Sequence, residues 1–267
     1  MAVTNGWGQG VINNTNGWGK LATNNIGAGS VYENSASGDT VLVAPSAPSF
    51  ASTQSFSFDG VDDFISFNEV AYSGEFTFSL WVKPGTFSGN DNFILGDVNS
   101  NAHFLRTKSA TQIQLKISGS SVTFTESGGN DIVLNTWQHL MITRDASNNV
   151  KAFRNGASFG STGTRSGNFE VNAIGEVYSI GTFNFLGLID EVGIWTSDQS
   201  SNVSSIYSGG VPNNLNDLST PPTAWYRMGE QANWDGSKWT LIDQGTGSNN
   251  AESVNMTESD RETDVPT

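Results

Sequence analysis

Strict alternation of apolar and polar residues is the feature that most restricts this chain. In "FTFSLWV", Phe76, Phe78, Leu80 and Val82 fall on one face of an extended segment and Thr77, Ser79 and Trp81 on the other. A strand satisfies that period of two and a helix does not. The same texture recurs in "SFSF", "DFISF", "NFILG", "AHFLRT", "QIQLKIS", "SVTFTE", "WQHLMITRD", "NVKAFR", "EVYSIG" and "LIDEVGIW". Turn formers separate these runs: Asp59-Gly60, Ser73-Gly74, Gly128-Gly129-Asn130, Asn148-Asn149 and Asn155-Gly156. Asn155-Gly156 is the strongest hairpin signal, because both residues accept the positive φ of a two-residue turn. Many short strands without a long helix predict an all-β fold, two antiparallel sheets packed as a sandwich. One short helix is expected at "QSSNVSSIYSG", ending at Gly209-Gly210, where glycine can take the left-handed cap.

Composition agrees and removes several functions. Charged residues are only 14% of the chain and Gly contributes 30 residues, as expected of strands joined by polar turns. Twelve basic against 26 acidic residues leave a net charge of −14, which repels a phosphate backbone, so no nucleic acid is expected as partner. The absence of cysteine excludes disulfides, thiolate metal sites and cysteine nucleophiles. No apolar run approaches the ~18 residues of a spanning helix, and "MAVTNGWGQG" has neither the basic nor the apolar part of an export signal. The expectation is a soluble chain with no membrane partner.

The first residues follow another rule. Asn5-Gly6-Trp7-Gly8 returns as Asn16-Gly17-Trp18-Gly19. Such a unit buries too little apolar surface to offset the entropy of ordering its backbone, so it must lean on something else. Residues 1–45 are therefore read as an extended arm and linker, with Trp7 and Trp18 as anchoring side chains. Residues 46–212 form the sandwich, and 213–267 an extension that supplies it with a further strand.

The series "FSFDGVDDFISF", "FTFSLWVKP", "NTWQHLMITRD", "VKAFRNG" and "FLGLIDEVGIW" resembles the laminin-G-like family of concanavalin A-like jelly rolls. The resemblance spans roughly residues 54–208 and implies a jelly-roll sandwich. In many members a stretch similar to "AWYRMGE … LIDQGTGSNNAESVNM" precedes the Phe-Asp-Gly strand; here it follows the domain, which implies a permuted strand order. The N-terminal repeat is similar to the N-termini of virion structural proteins of tailed phages. That resemblance implies a non-enzymatic virion component, a capsid decoration or fibre-like protein. Its arm would hold other virion proteins, its jelly roll would meet a host-surface glycan, and its subunits would form a homo-oligomer. The alternatives are a soluble glycan-binding module and, less favoured, a glucan hydrolase.

The hydrolase reading requires carboxylates alternating on one strand, so that both reach one sugar. "LIDEVGIW" instead carries Asp190 and Glu191 side by side, which an ordinary strand points in opposite directions. His103 and His139 lack the neighbours of a triad or zinc site, and Trp137 and His139 read as sheet-packing residues. Asp190 shares the core-facing side with Leu188, Val192 and Ile194, where a carboxylate must find backbone N–H groups or a cation. Members of the family this chain resembles often hold a structural calcium near this strand, so the resemblance implies Asp190 as a ligand. If the "LIDQGTGSNN" loop returns beside it, Asp190 and Asp243 become shared Ca²⁺ ligands. Asp59, Asp62 and Asp63 in "DGVDD" face the same choice, with a solvated turn expected. Trp81, Trp234 and Trp239 are the candidate aromatic platforms for a glycan.

Overall fold

The computed structural model describes residues 9–13, 20–24, 50–89, 92–178 and 183–267. The chain divides into two units, residues 1–50 and 51–267. In the first, Gln9–Asn13 and Lys20–Asn24 pair antiparallel, with Val11 opposite Ala22 and Ile12 opposite Leu21. Trp7 and Trp18 lie outside the described residues, as does most of the linker.

The second unit is the expected sandwich of two antiparallel sheets. Across the first sheet the strands run 157–158, 149–154, 138–144, 76–84, 186–195, 55–59 and 261–262; 163–164 pairs with 149–154, and 224–226 with 186–195. Across the second they run 232–234, 239–241, 251–254, 64–72, 169–174, 93–97, 100–109, 112–117 and 120–125. Phe76, Phe78, Leu80 and Val82 from one sheet meet residues such as Leu105 and Leu115 from the other in a single core, each such side chain contributing about 1.5–3 kcal/mol by leaving water. The hairpin at Asn155-Gly156 forms, with φ of 48° and 77°, joining Arg154 to Ala157. The short helix forms at Val203–Tyr207, continued by a tight turn through Gly209 and Gly210. Among the described residues no helix is long and apolar enough to cross a membrane.

Three expectations need correction. The C-terminal residues supply strands to both sheets rather than one further strand: 224–226 and 261–262 join the first, and 232–234, 239–241 and 251–254 the second. "EVYSIG" is not a strand among the described residues, where Glu176 makes only an isolated bridge to Asn184. The strand lies just before it, at Phe169–Ile174, where a register shift between Val171 and Ala173 interrupts the alternation. Finally, the alternation of "FTFSLWV" is that of a half-buried strand, yet the outer face of 76–84 is covered as well. Thr77 Oγ1 donates to the Ser197 carbonyl at 2.8 Å and accepts from the Gln199 N–H at 2.9 Å, and Trp81 stacks on Tyr207 at 5.9 Å. The segment after Trp195 thus seals this face.

One buried cation ties the sheets' ends together. Arg144 is fully buried and donates to the carbonyls of Gly74, Gly167 and Tyr72 at 2.6, 2.7 and 2.6 Å, with its guanidinium 4.7 Å over Phe76.

Candidate functional site

Asp190 and Glu191 do not diverge as an ordinary strand would have them. Pairing of 186–195 with 76–84 slips between Asp190 and Gly193, and Glu191 takes a left-handed φ of 49°, a conformation that costs a non-glycine residue roughly 1–2 kcal/mol. At this bulge both side chains are buried. A third carboxylate, Glu230, arrives from the turn after Ala224–Tyr226. Gly229 makes that approach feasible, because a Cβ there would lie 2.2 Å from Gln54 Cβ. Oxygens of Asp190, Glu191 and Glu230 all fall within 4.8 Å of one another.

The partners of these oxygens define the site. Asp190 accepts the Ser52 hydroxyl at 2.5 Å and the Glu191 N–H at 2.7 Å. Glu191 accepts the Trp225 indole N–H at 2.8 Å and the Arg227 Nε–H at 3.1 Å. Glu230 accepts the backbone N–H groups of Thr53 and Gln54, while its other oxygen is buried with no hydrogen-bond partner. Arg227 also donates to the Ala51 carbonyl at 2.8 Å and lies 3.7 Å from Glu230. Glu191 and Glu230 thus share one guanidinium. Burial, followed by the charges of Glu191 and Glu230, holds the Asp190 carboxyl well above the usual range. Burial pushes Glu191 up to about 7, against the pull of Arg227 and with a further push from Glu230. Such a cluster keeps protons near neutral pH or takes up a cation. The residues that could hold Ca²⁺ are Asp190, Glu191 and Glu230.

Asp243 is not in this set. Its carboxylate accepts the backbone N–H groups of Trp225, Gly245 and Asn249 at 2.8, 2.7 and 2.8 Å, which saturates it as the staple of its own loop. The loop does return beside Ala224–Tyr226, with the Gln244 N–H on the Trp225 carbonyl, but it serves that strand rather than the bulge. Glu230 and Ser52 were not legible as partners: neither belongs to an acidic motif, and only the bulge and the packing of 51–54 bring them in. In "DGVDD", Asp59 accepts the N–H groups of Val61 and Asp62 at 2.7 and 3.4 Å, and Asp63 accepts that of Asp59 at 3.1 Å. Burial lifts Asp63 to about 6; the group is a turn satisfied largely by its own backbone.

The acids are closed off. The cavity touching Glu191, lined also by Ser79, Trp81 and Ile206, measures ≈ 10 Å³, room for at most one water. Beside it Ser79 Oγ lies 2.7 Å from His139 Nε2, yet His139 Nδ1 is buried without a partner, so no third group orients the ring as a triad requires. Burial drives the His139 pKa down to about 3, leaving it neutral. His103 accepts the Glu170 N–H at 3.2 Å and lies 3.4 Å from its carboxylate, again a structural arrangement.

The tryptophans fall differently from expectation. Trp81 and Trp239 are buried at 5% and 1% exposure and offer no platform to a glycan. Trp81 lies beneath Tyr207. Trp239 sits between Phe56 and Trp234, at 5.5 and 5.3 Å, and donates to the Thr257 carbonyl. Trp234 is half-exposed. The open feature lies elsewhere: a cleft of ≈ 310 Å³ between the 64–72 strand and the 223–224 and 247–249 segments. Phe67 and Tyr72 lie on its floor, and Asn68, Glu69, Ser248 and Asn249 along its rim. Asn249 fixes that rim, accepting the Asn68 N–H at 3.2 Å and donating to the Asn68 carbonyl at 3.0 Å. None of the three clustered acids lines it.

Residues 59–202 match the sequence profile of the Concanavalin A-like lectin/glucanases superfamily. No curated protein sequence matches the chain. Among solved structures, a candidate carbohydrate-binding protein from Bacteroides ovatus is similar at 18% identity and a TM-score of 0.61, over 88% of this chain and 67% of that one. A heptameric SAP-like pentraxin from Limulus polyphemus is similar at 16% identity and 0.47, over 58% and 82%. The fourth domain of an extracellular arabinanase from Geobacillus stearothermophilus, bound to arabinotriose, is similar at 23% and 0.39, over 51% and 67%. At these identities the likeness is one of fold.

Proposed function

The chain belongs to the Concanavalin A-like lectin/glucanases superfamily, and from that premise we propose that it is a non-enzymatic glycan-binding jelly roll displayed on a virion through its N-terminal arm. The observation that carries the binding half is a contrast. The clustered carboxylates, which a hydrolase would have to present to a sugar, are sealed beside a cavity of ≈ 10 Å³. An open cleft of ≈ 310 Å³ instead carries amide, hydroxyl and carboxylate groups along its rim, above the buried Phe67 and Tyr72, polar groups of the kind that fix and orient the hydroxyls of a sugar. A retaining glycosidase needs its two carboxyl groups about 5–5.5 Å apart across an accessible bond; here the acids approach one another but face no substrate space. The resemblance of the Gly/Asn/Trp repeat to virion-protein N-termini supports the display half, as does its poverty in apolar area. Oligomeric assembly, which the arm would promote, belongs to the same reading.

Two measurements test it. Binding to a glycan array without release of reducing sugar is expected, as is recovery of the chain from purified virions by mass spectrometry at a copy number matching a symmetric shell or tail position. Turnover of β-glucan that disappears in Asp190→Asn would overturn the binding half, and absence from virions the display half.

A further inference from the structure

Away from the cleft and the acids, the outer face of the second sheet carries a second aromatic cluster. Phe93, Phe104 and Val177, with Phe183 packed against them, are separate from the main core. Phe93 lies 5.0 Å from Phe104 and 4.9 Å from Phe183 between ring centres. Two cations stand over these rings: Arg106, 4.9 Å from Phe93 and 5.5 Å from Phe104, and Lys116, 5.4 Å from Phe104. Phe104 pairs with Lys116 and Arg106 with Gln114 across neighbouring strands, which makes the two cations diagonal neighbours on one face, within about 7–8 Å by sheet geometry. Phe93, Phe104, Phe183, Arg106, Lys116 and Asn101 line a pocket of ≈ 180 Å³.

Charge makes this face unusual. Acids outnumber bases 26 to 12, yet no ion pair among the described residues involves Arg106 or Lys116. Arg106 uses only Nε, donating to Gln114 at 2.9 Å, and Gln114 is itself tied to Thr123. The guanidinium is thereby held flat with its two terminal amino groups without a protein partner among the described residues. A guanidinium fixed at Nε presents those groups to one planar anion, and a neighbouring ammonium adds a point charge. Phe93 and Phe104 are buried beneath the two cations, and the partly buried Phe183 is the ring left to offer an apolar surface to the C–H face of a pyranose.

We propose that this face binds a single carboxylate-bearing sugar, a uronic or sialic acid residue within a glycan, with Arg106 and Lys116 on the carboxylate and Phe183 against the ring. The inference rests on the glycan-binding reading and adds to it a ligand class and a second site. The cavity is smaller than the roughly 300 Å³ at which drug-sized pockets begin, which suits one ring. The overall charge of −14 disfavours a long polyanion, so recognition is local.

The test is binding of the methyl glycosides of galacturonate, glucuronate and N-acetylneuraminate, each beside its methyl ester, to the full chain by calorimetry and ligand-observed NMR. At least one free acid is expected to bind tenfold or more above its ester. The double variant Arg106→Gln/Lys116→Gln, shown folded by an unchanged melting temperature, should lose that preference, while Lys238→Gln on another edge keeps it. Equal binding of acid and ester, or a preference that survives in the double variant, overturns the site while leaving glycan binding in place. Preferential binding of oligoglutamate at the same residues overturns it in favour of an acidic peptide. If no acidic or neutral glycan on an array binds, the glycan-binding reading falls with it.

Discussion

Replacing Glu230 by Gln should stabilise the domain at pH 8 and leave it unchanged at pH 5. Gln keeps an oxygen for the N–H groups of Thr53 and Gln54 and puts an amide NH2 in place of the buried oxygen that now has no partner. It removes a negative charge that raises both Asp190 and Glu191. The sign follows from proton binding. Glu191 moves from 4.5 to about 7 on folding, so between these values the native state holds a proton that the unfolded chain has released, and stability falls as pH rises through that window. At 1.36 kcal/mol per unit, the whole displacement corresponds to about 3 kcal/mol above pH 7. Burial is its largest cause and Glu230 a smaller one, so removing Glu230 should return about 1 kcal/mol at pH 8, which is roughly 2–4 °C in Tm for a domain of this size. Its weak pairing with Arg227 at 3.7 Å subtracts little. The assay is paired urea and thermal unfolding of wild type and variant in EDTA at pH 5 and 8. A loss of stability of equal size at both pH values would show that the carboxylates do not repel one another in the folded state.

Adding Ca²⁺ to EDTA-treated protein at pH 8 should stabilise the fold by about 2.7 kcal/mol at a hundredfold excess over Kd if the three acids take up the ion, read as a higher melting temperature. The gain should shrink in Glu230→Gln and at pH 5, where protons compete, and an unchanged melting temperature removes calcium from the site. The His139 ring should show no titration in its NMR shifts between pH 8 and 4.5, since its pKa lies near 3; a midpoint near 6.5 would mean that the ring is not buried as described. Arg144→Lys should cost about 2–4 kcal/mol in chemical unfolding, because an ammonium cannot serve the carbonyls of Tyr72, Gly74 and Gly167 together and leaves buried acceptors unpaired. A loss below 0.5 kcal/mol would contradict that clamp.

The sandwich was legible because alternation is a local property. The strand 112–117 alternates as "QIQLKI", with Ile113, Leu115 and Ile117 in the core, and Asn155-Gly156 declares its turn by backbone conformation alone. The acid site was only half legible. Asp190 stood out as a carboxylate on an apolar face, but the slip that turns Glu191 toward it is a property of pairing with 76–84, and no pattern in "LIDEVGIW" encodes it. Glu230 comes from 39 residues further along the chain by way of a glycine turn. The tryptophans failed for a related reason: periodicity says which face Trp81 occupies, not that Tyr207 will cover it. The Phe93–Arg106–Lys116 face needs three strands in register before it exists.

Residues 51–54, which hydrogen-bond to Asp190, Glu230 and Arg227, are also the part of the domain nearest to any pull on its N-terminal side. The first ladder beyond them is short: Ser55 pairs with Glu262 and Phe56 with Arg261, so the chain before Ser55 and the chain after Glu262 leave from the same end of an antiparallel pair. Tension between those two points would load its hydrogen bonds one after another, the unzipping geometry that yields at low force, and not in parallel as in shear. Tension on the N-terminal side alone meets Ser52 on Asp190 and Thr53 and Gln54 on Glu230 before any strand. A domain pulled from this side would therefore give first at these contacts and admit water to Asp190, whose carboxyl is held above its usual range chiefly by burial, so that it would release its proton before the fold is lost. Its carboxylates would then act as a record of strain, readable as proton release at constant pH.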